Sequence, residues 1–371
     1  MDYDIVIVGA GPAGLNAAYY AAKIGAEVLV VDKKIELGKP VRCGEAIVEN
    51  ILKDFNIKSR DEFISNYVNS FRCISSIGKE ISVKIKLKGY ILDRVKFEQY
   101  LGARAEKVGA KIQLDSTVIG LERDKLIVTK DKGKTNEFIK GKIIIGADGV
   151  ESRIGRWAGL DTVLKPTDIA SCCQYLVGNI EVEKNVVEFY WGAKYAPHGY
   201  TWVFPKSATT ANVGIVTIGK NNMDLKVLLD EFKAMRAPKN EILKFTTGCV
   251  PQGIPPKQVV HENVILAGDA ARVAIPVTGA GIGNAMLTGK WAGNISGEII
   301  SNNLSMNELI RYEKLLNKIR RKIRRASILK QKIIRDNDIY DLLFAIFAPF
   351  QYVYDLNPTL AERFLLKNIR Y

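Results

Sequence analysis

Apolar residues run without a break through Ile5-Val6-Ile7-Val8 and again through Val28-Leu29-Val30-Val31. That is the pattern of strands covered on both faces. Residues 15–24 between them are rich in alanine, so residues 4–32 read as strand, helix and strand. Two further buried strands are predicted at 142–145 and 264–267, closing on Gly146-Ala147-Asp148-Gly149 and Gly268-Asp269. A different pattern governs Ile81-Ser82-Val83-Lys84-Ile85-Lys86-Leu87-Lys88, apolar to one side and basic or polar to the other. It predicts a half-exposed antiparallel strand. Tyr200, Trp202 and Phe204 also recur at period two, so one face of a strand there carries three aromatic rings. With 186–191 and 212–218 these segments predict a second sheet. The fold class is α/β, with separate parallel and antiparallel parts (α+β overall).

The first turn is Gly9-Ala10-Gly11-Pro12-Ala13-Gly14, and each glycine has a physical task. Gly9 permits the tight turn, Gly11 lets the backbone approach a pyrophosphate, and Gly14 lets helix and strand close on each other. The helix start offers unpaired N–H groups and a positive dipole end to phosphates. Asp32, 18 residues beyond Gly14, is placed to accept from ribose hydroxyls. An acid there favours a free 2′-hydroxyl, hence FAD or NAD over NADP. The later Gly-Asp turns, and the glycine-rich Pro276-Val277-Thr278-Gly279-Ala280-Gly281-Ile282-Gly283, suit the ribityl and flavin end of FAD.

Length and composition narrow the class. A chain of 371 residues, 47% hydrophobic and 25% charged, suits two globular units and excludes a disordered tail or a collagen-like fibre. The five cysteines form no CxxC pair, which argues against a zinc ribbon or thioredoxin-type site, and no metal site is expected. The odd cysteine count and acidic start, without a leader pattern, lead us to expect a cytoplasmic protein. Net charge is +14, and residues 306–371 hold 14 Lys and Arg against 7 Asp and Glu. The densest stretch is Lys318-Ile319-Arg320-Arg321-Lys322-Ile323-Arg324-Arg325, followed by an apolar run at 342–350. No nucleic-acid motif accompanies the charge. A basic helix beside an apolar segment fits a solvated face or an anionic membrane surface, peripheral at the inner leaflet. The uncharged run 342–354 falls short of the ~20 residues a spanning helix needs.

Three segments are more particular: Pro40-Val41-Arg42-Cys43-Gly44-Glu45-Ala46, Leu92-Asp93-Arg94, and Pro197-His198-Gly199-Tyr200-Thr201-Trp202-Val203-Phe204-Pro205. On these the chain resembles, over essentially its whole length, the geranylgeranyl reductases of the p-hydroxybenzoate-hydroxylase-like flavoproteins, especially the archaeal digeranylgeranylglycerophospholipid reductases. The resemblance implies a Rossmann-type FAD domain (1–70, 90–160 and 261–300), an antiparallel substrate sheet (71–89 and 161–260) and a helical basic region (301–371). It implies FAD contacts at Ala13, Asp32, Lys33, Arg42, Cys43 and Gly44, and at Ala46, Arg94, Val118, Asp269, Gly281 and Ile282. Tyr200, Trp202, Phe204 and Pro205 would line a prenyl pocket. Asp93 reads as an N-cap. Asp32 stands where relatives often carry Glu.

The implied reaction saturates isolated C=C bonds of geranylgeranyl chains on a membrane-lipid precursor, a prenylated glycerophospholipid. Candidate proton donors are Cys43, Tyr200 and a bound water. The electron donor would be a ferredoxin, or a reduced deazaflavin or nicotinamide. Cys172 and Cys173 read as buried hydrophobes, His198 as a loop residue and His261 as structural. The rival readings are an aromatic hydroxylase of the same superfamily and a membrane-docked electron-carrier flavoprotein.

Overall fold

The computed structural model describes residues 2–335 except 59–60, 131–132, 220–223 and 277. The apolar run at 342–350 and Val277 therefore lie outside the described residues. The first sheet is built on four parallel strands, Val264–Leu266, Thr135–Gly146, Asp2–Val8 and Val28–Val31, with Lys111–Gln113 added at one edge. Thr117–Glu122 and Lys125–Lys130 form an antiparallel extension of Thr135–Gly146. The predicted strand–helix–strand unit is present, its helix starting at Pro12 and ending at Ala22. Ile5, Ile7, Val30, Ile143, Ile145 and Ile265 are fully buried, as a sheet covered on both faces requires.

Register positions the chemistry. Val8 pairs with Val31 and with Gly146, and Gly146 pairs with Leu266. The carboxyl ends of four strands therefore lie level, and Gly9, Asp32, Asp148 and Asp269 follow them on adjacent loops. Ligands of open parallel sheets bind outside that edge.

Helix Pro12–Ala22 packs against helix Ile282–Ser301 through a seam of small residues. A Cβ at Gly289 would overlap the backbone of Ala13, and one at Gly293 that of Ala17. One at Gly297 would stand 3.2 Å from the Ala21 carbonyl oxygen. The four-residue spacing keeps all three on one helix face, which brings both helix N-termini to the same sheet edge.

The second sheet runs Glu241–Pro251, Ile169–Gly178, Thr210–Ile218, Gly199–Pro205, Val186–Trp191, Ile64–Ile74, Glu80–Leu92 and Ala46–Val48. Every pairing is antiparallel except that between Val186–Trp191 and Ile64–Ile74. It takes in more of the N-terminal chain than 71–89. The hairpin of Ile64–Ile74 and Glu80–Leu92 continues through a register shift between Val68 and Ser70. Residues on both sides of the expected boundary thus stay in one sheet. Val203, Val213 and Ile215 face a core with Leu229 and Phe232 of helix Leu225–Arg236. The opposite face carries Tyr200, Trp202, Phe204, Val216 and Ile218.

The C-terminal region is helical from Ile310 to Arg335. Tyr312, Leu316, Ile319 and Ile323 are buried at helical spacing, and the Tyr312 hydroxyl donates to the Leu266 carbonyl at 2.7 Å. Lys314, Lys318, Arg321, Lys322, Arg324 and Arg325 are exposed. No helix among the described residues is long and apolar enough to cross a membrane.

Candidate active site

A cavity of about 940 Å3 lies between the carboxyl edge of the first sheet and the aromatic face of the second. At its phosphate-sized end Gly9 has φ +108°, a conformation glycine adopts readily. Space on the Cβ side of Gly11 is open to 4 Å, and no side chain caps helix Pro12–Ala22. Its first N–H groups are therefore available to an anion. Asp32 is buried against this loop, accepting from the N–H groups of Ala10 and Lys34. Each carboxylate oxygen keeps lone-pair capacity for a further donor.

Deeper in the cavity, Arg94 pairs with Glu98, which also accepts from Lys34 Nζ at 3.2 Å. Burial alone would raise the Glu98 carboxyl, but Arg94 and Lys34 hold it below its ordinary range. Burial would likewise lower Arg94, yet Glu98 and the neighbouring Cys43 side chain keep it above its ordinary value. Asp269 lines the same space, its carboxyl pushed up to about 6 by burial against an opposing pull from Arg94. Gly281 sits beside it, with a Cβ there 3.6 Å from Asp269 Oδ1.

The segment from Arg42 to Ala46 crosses from one sheet to the other, just after a cis Lys39-Pro40 peptide bond. Glu45 has φ +72° and is 4% exposed. Its carboxylate accepts from the Arg94 backbone N–H at 3.0 Å, Lys206 Nζ at 2.6 Å and Asn212 Nδ2 at 2.7 Å. Its own N–H donates to Cys43 Sγ at 3.2 Å. Asn212 also donates to the Gly44 carbonyl at 3.3 Å, and Gln174 donates to that of Cys43 at 3.3 Å. Side chains of the second sheet thus grip the loop that faces the first.

Opposite stands a continuous aromatic wall. Ring centroids are 4.5 Å apart for Trp191 and Tyr200, 5.9 Å for Tyr200 and Trp202, and 6.0 Å for Trp202 and Phe204. Phe189 closes on Phe204 at 5.3 Å. The loop touches this wall directly: a Cβ on Gly44 would sit 2.9 Å from Phe204 Cε2. The Tyr200 hydroxyl donates to the Thr278 carbonyl at 2.7 Å, which ties the wall to the second glycine-rich segment.

The structure places Gly9, Gly11, Ala13, Asp32 and Lys33 on the cavity, with Arg42, Cys43, Gly44, Ala46 and Arg94. Val118, Asp269, Gly281, Ile282, Tyr200, Trp202 and Phe204 also line it. Two expected residues do not. A Cβ on Gly14 would overlap the Gly9 carbonyl, the close helix–strand approach expected of this glycine. Pro205 follows Phe204 directly, and adjacent strand residues face opposite ways; its carbonyl instead accepts from Asn66 Nδ2 at 2.8 Å. His198, at φ +57°, is not on the cavity either. Cys172 and Cys173 do line it, and burial pushes both thiols up, Cys173 to about 12. Sequence reasoning did not single out Gln174, Lys206 or Asn212, whose partners on the Cys43–Glu45 loop lie more than a hundred residues away.

A parallel sheet with a glycine-loop helix start, facing an antiparallel sheet across one cavity, defines an FAD-type oxidoreductase. Residues 3–187 match the pyridine nucleotide-disulphide oxidoreductase family, and residues 168–250 match the geranylgeranyl reductase catalytic domain. Digeranylgeranylglycerophospholipid reductase 1 of Methanococcoides burtonii is 39% identical over 84% of this chain and 79% of its own. The digeranylgeranylglycerophospholipid reductase of Thermoplasma acidophilum is 38% identical over 91% and 89%. The crystal structure of a geranylgeranyl bacteriochlorophyll reductase-like protein from Thermoplasma acidophilum superposes with a TM-score of 0.85 at 36% identity, covering 91% of this chain and 89% of that one. The chain belongs to the digeranylgeranylglycerophospholipid reductase family of geranylgeranyl reductases. FAD is its cofactor, and the open side of Gly11, the uncapped helix and buried Asp32 fit the dinucleotide.

Proposed function

We propose that this protein is an FAD-dependent reductase that saturates C=C bonds of geranylgeranyl chains on glycerophospholipid precursors. The observation that carries the reading is the contact of the Arg42–Ala46 segment with the aromatic wall through Gly44. It sets an apolar surface suited to a prenyl chain beside the dinucleotide cavity. Gly9, Gly11 and Ala13 hold the pyrophosphate, and Asp32 the ribose, with Lys33 alongside. Arg94, Val118, Asp269, Gly281 and Ile282 hold the rest of the cofactor, with Arg42, Cys43, Gly44 and Ala46 on its opposite side. The first sheet is the cofactor unit and the second the substrate unit.

An isolated trisubstituted alkene has no carbonyl to take up electron density, so saturation requires a hydride and a proton together. Reduced FAD supplies the hydride when bound. The chain supplies orientation, a dry pocket and the proton. Trp191, Tyr200, Trp202 and Phe204 hold the prenyl segment, and their faces favour positive charge growing at its tertiary carbon. We assign the proton to Cys43 Sγ, which faces the cavity beside the Arg94 guanidinium. The thiolate left behind is stabilised by that cation until solvent reprotonates it. Tyr200 directs its hydroxyl proton at Thr278, which suits a wall-orienting role better than proton delivery.

An external donor, a ferredoxin or a reduced deazaflavin or nicotinamide, restores the reduced cofactor. The exposed cations from Lys314 to Arg325 support docking to an anionic membrane, where the substrate resides. Protein reduced with dithionite under nitrogen and given a digeranylgeranyl glycerophospholipid tests the reading by mass spectrometry. Product mass should rise by about 2 Da per bond saturated. Unchanged lipid with reduced FAD still bound would overturn it, and rapid NADPH oxidation with peroxide formation in air would point to a hydroxylase.

A further inference from the structure

Gln174 lies within strand Ile169–Gly178, is 8% exposed and reaches the cavity. Its side chain makes two hydrogen bonds of opposite sense. Trp202 Nε1 donates to its Oε1 at 3.2 Å, and its Nε2 donates to the Cys43 carbonyl at 3.3 Å. An indole N–H can only donate and a backbone carbonyl only accepts, so a single orientation of the amide satisfies both. The amide therefore joins the aromatic wall to the loop that bears the thiol. Gly44, the next residue of that loop, is seated on the same wall: a Cβ there would stand 3.5 Å from Trp202 Nε1.

We infer that Gln174 is a positioning residue for Cys43, fixing the thiol loop according to where the Trp202 indole stands. The inference rests on the reading of Cys43 as proton donor. A prenyl chain lying on Trp202 holds the indole in place, the indole holds the amide, and the amide holds the Cys43 carbonyl. The other hydrogen bonds of the loop, through Lys206, Asn212 and Arg94, have no partner on the aromatic wall. Gln174 alone among these side chains bonds both Trp202 and Cys43.

The test uses FAD-loaded protein and three variants. Gln174→Leu removes both bonds. Gln174→Glu still accepts from Trp202, but an ionised carboxylate meets the Cys43 carbonyl with a second acceptor, and protonation restores a donor. Trp202→Phe keeps one aromatic ring and removes the indole N–H together with part of the ring area. Two quantities are read from about pH 5 to about pH 8, a span that reaches the range of a carboxyl raised by burial. One is the rate of Cys43 alkylation by iodoacetamide, located by peptide mass spectrometry without turnover. The other is kcat and KM for prenyl reduction.

Gln174→Leu should change Cys43 alkylation and kcat by about tenfold, the scale of the lost hydrogen bond to the Cys43 carbonyl, with KM moving less. Trp202→Phe should shift alkylation in the same direction. Gln174→Glu should show the defect near the upper pH and recover toward wild type near the lower, in the ratio of variant to wild-type rates. Alkylation at the wild-type rate in all three variants, with FAD content intact, would overturn the inference, as would a Gln174→Glu defect that is flat with pH. Failure of the wild type to reduce lipid would instead count against the proposed function, since the alkylation readout does not depend on it.

Discussion

Replacing Glu45 by Ala removes the acceptor that three donors share. Lys206 Nζ lies 2.6 Å from the carboxylate, Asn212 Nδ2 2.7 Å and the Arg94 N–H 3.0 Å. Glu45 is 4% exposed and the Lys206 side chain 18%, so the ammonium cannot simply return to water. Stripping one partner from a buried pair costs about 3–5 kcal/mol. The residual exposure of Lys206 places the expectation near the lower end, about 3 kcal/mol. The left-handed φ of residue 45 gives no relief, because Ala also carries a Cβ. Lys206→Met alone should cost less, and Glu45→Gln with Lys206→Met should lie within about 1 kcal/mol of wild type, because no buried charge is left unpaired. Urea unfolding of FAD-free protein, followed by circular dichroism, measures all of these without the stabilisation that bound cofactor adds. A loss below about 1 kcal/mol for Glu45→Ala, or strict additivity between Glu45→Ala and Lys206→Met, would refute the argument.

Cys43→Ala should lower turnover by about a hundredfold or more while leaving FAD content intact, the range expected for a lost general acid. Tyr200→Phe, which loses the bond to Thr278, should cost about tenfold or less in steady-state rate; equal losses would reverse the assignment of the proton. Gly44→Ala pushes a methyl to 2.9 Å from Phe204 and should cost about 1–3 kcal/mol in thermal unfolding by overpacking; an unchanged melting temperature would show the loop and wall are not in contact. Asp269 has its folded carboxyl raised to about 6, so the folded state keeps a proton that the unfolded chain has already released. Its contribution is complete below the ordinary carboxylate range and is lost as pH climbs through about 6. The melting temperature of FAD-free protein should fall over that window, and Asp269→Asn should flatten the fall; an unchanged slope in the variant would contradict this.

The cofactor half was legible because its chemistry is local. Gly9, Gly11, Gly14 and Asp32 fall within one strand–helix–strand unit, and strand register alone brings Asp148 and Asp269 beside them. The aromatic wall was legible at Tyr200, Trp202 and Phe204 because period two is a property of the strand itself. The same period removes Pro205, which the motif included but the pleat turns away. Hidden from the sequence was everything that depends on which strands become neighbours. Gln174, Lys206 and Asn212 are ordinary polar residues of strand faces and turns until the second sheet folds against the Arg42–Ala46 loop. Glu45 stood inside a quoted motif, but its partners at 94, 206 and 212 could not be read from spacing. The hairpin of Ile64–Ile74 and Glu80–Leu92 likewise crosses the expected boundary, because a register shift bends a strand without ending it.

The proposed reaction passes electrons held at the dinucleotide cavity to a prenyl chain lying on the aromatic wall. It is tested most directly by mixing reduced, oxygen-free protein with a digeranylgeranyl glycerophospholipid, with no other electron donor present. Return of the oxidised flavin absorbance and lipid mass are then followed in the same sample. One double bond should be saturated for each flavin reoxidised, and Trp202→Ala should slow both signals together. A flavin that stays reduced beside the lipid, or one that reoxidises while the lipid mass stays unchanged, would contradict it.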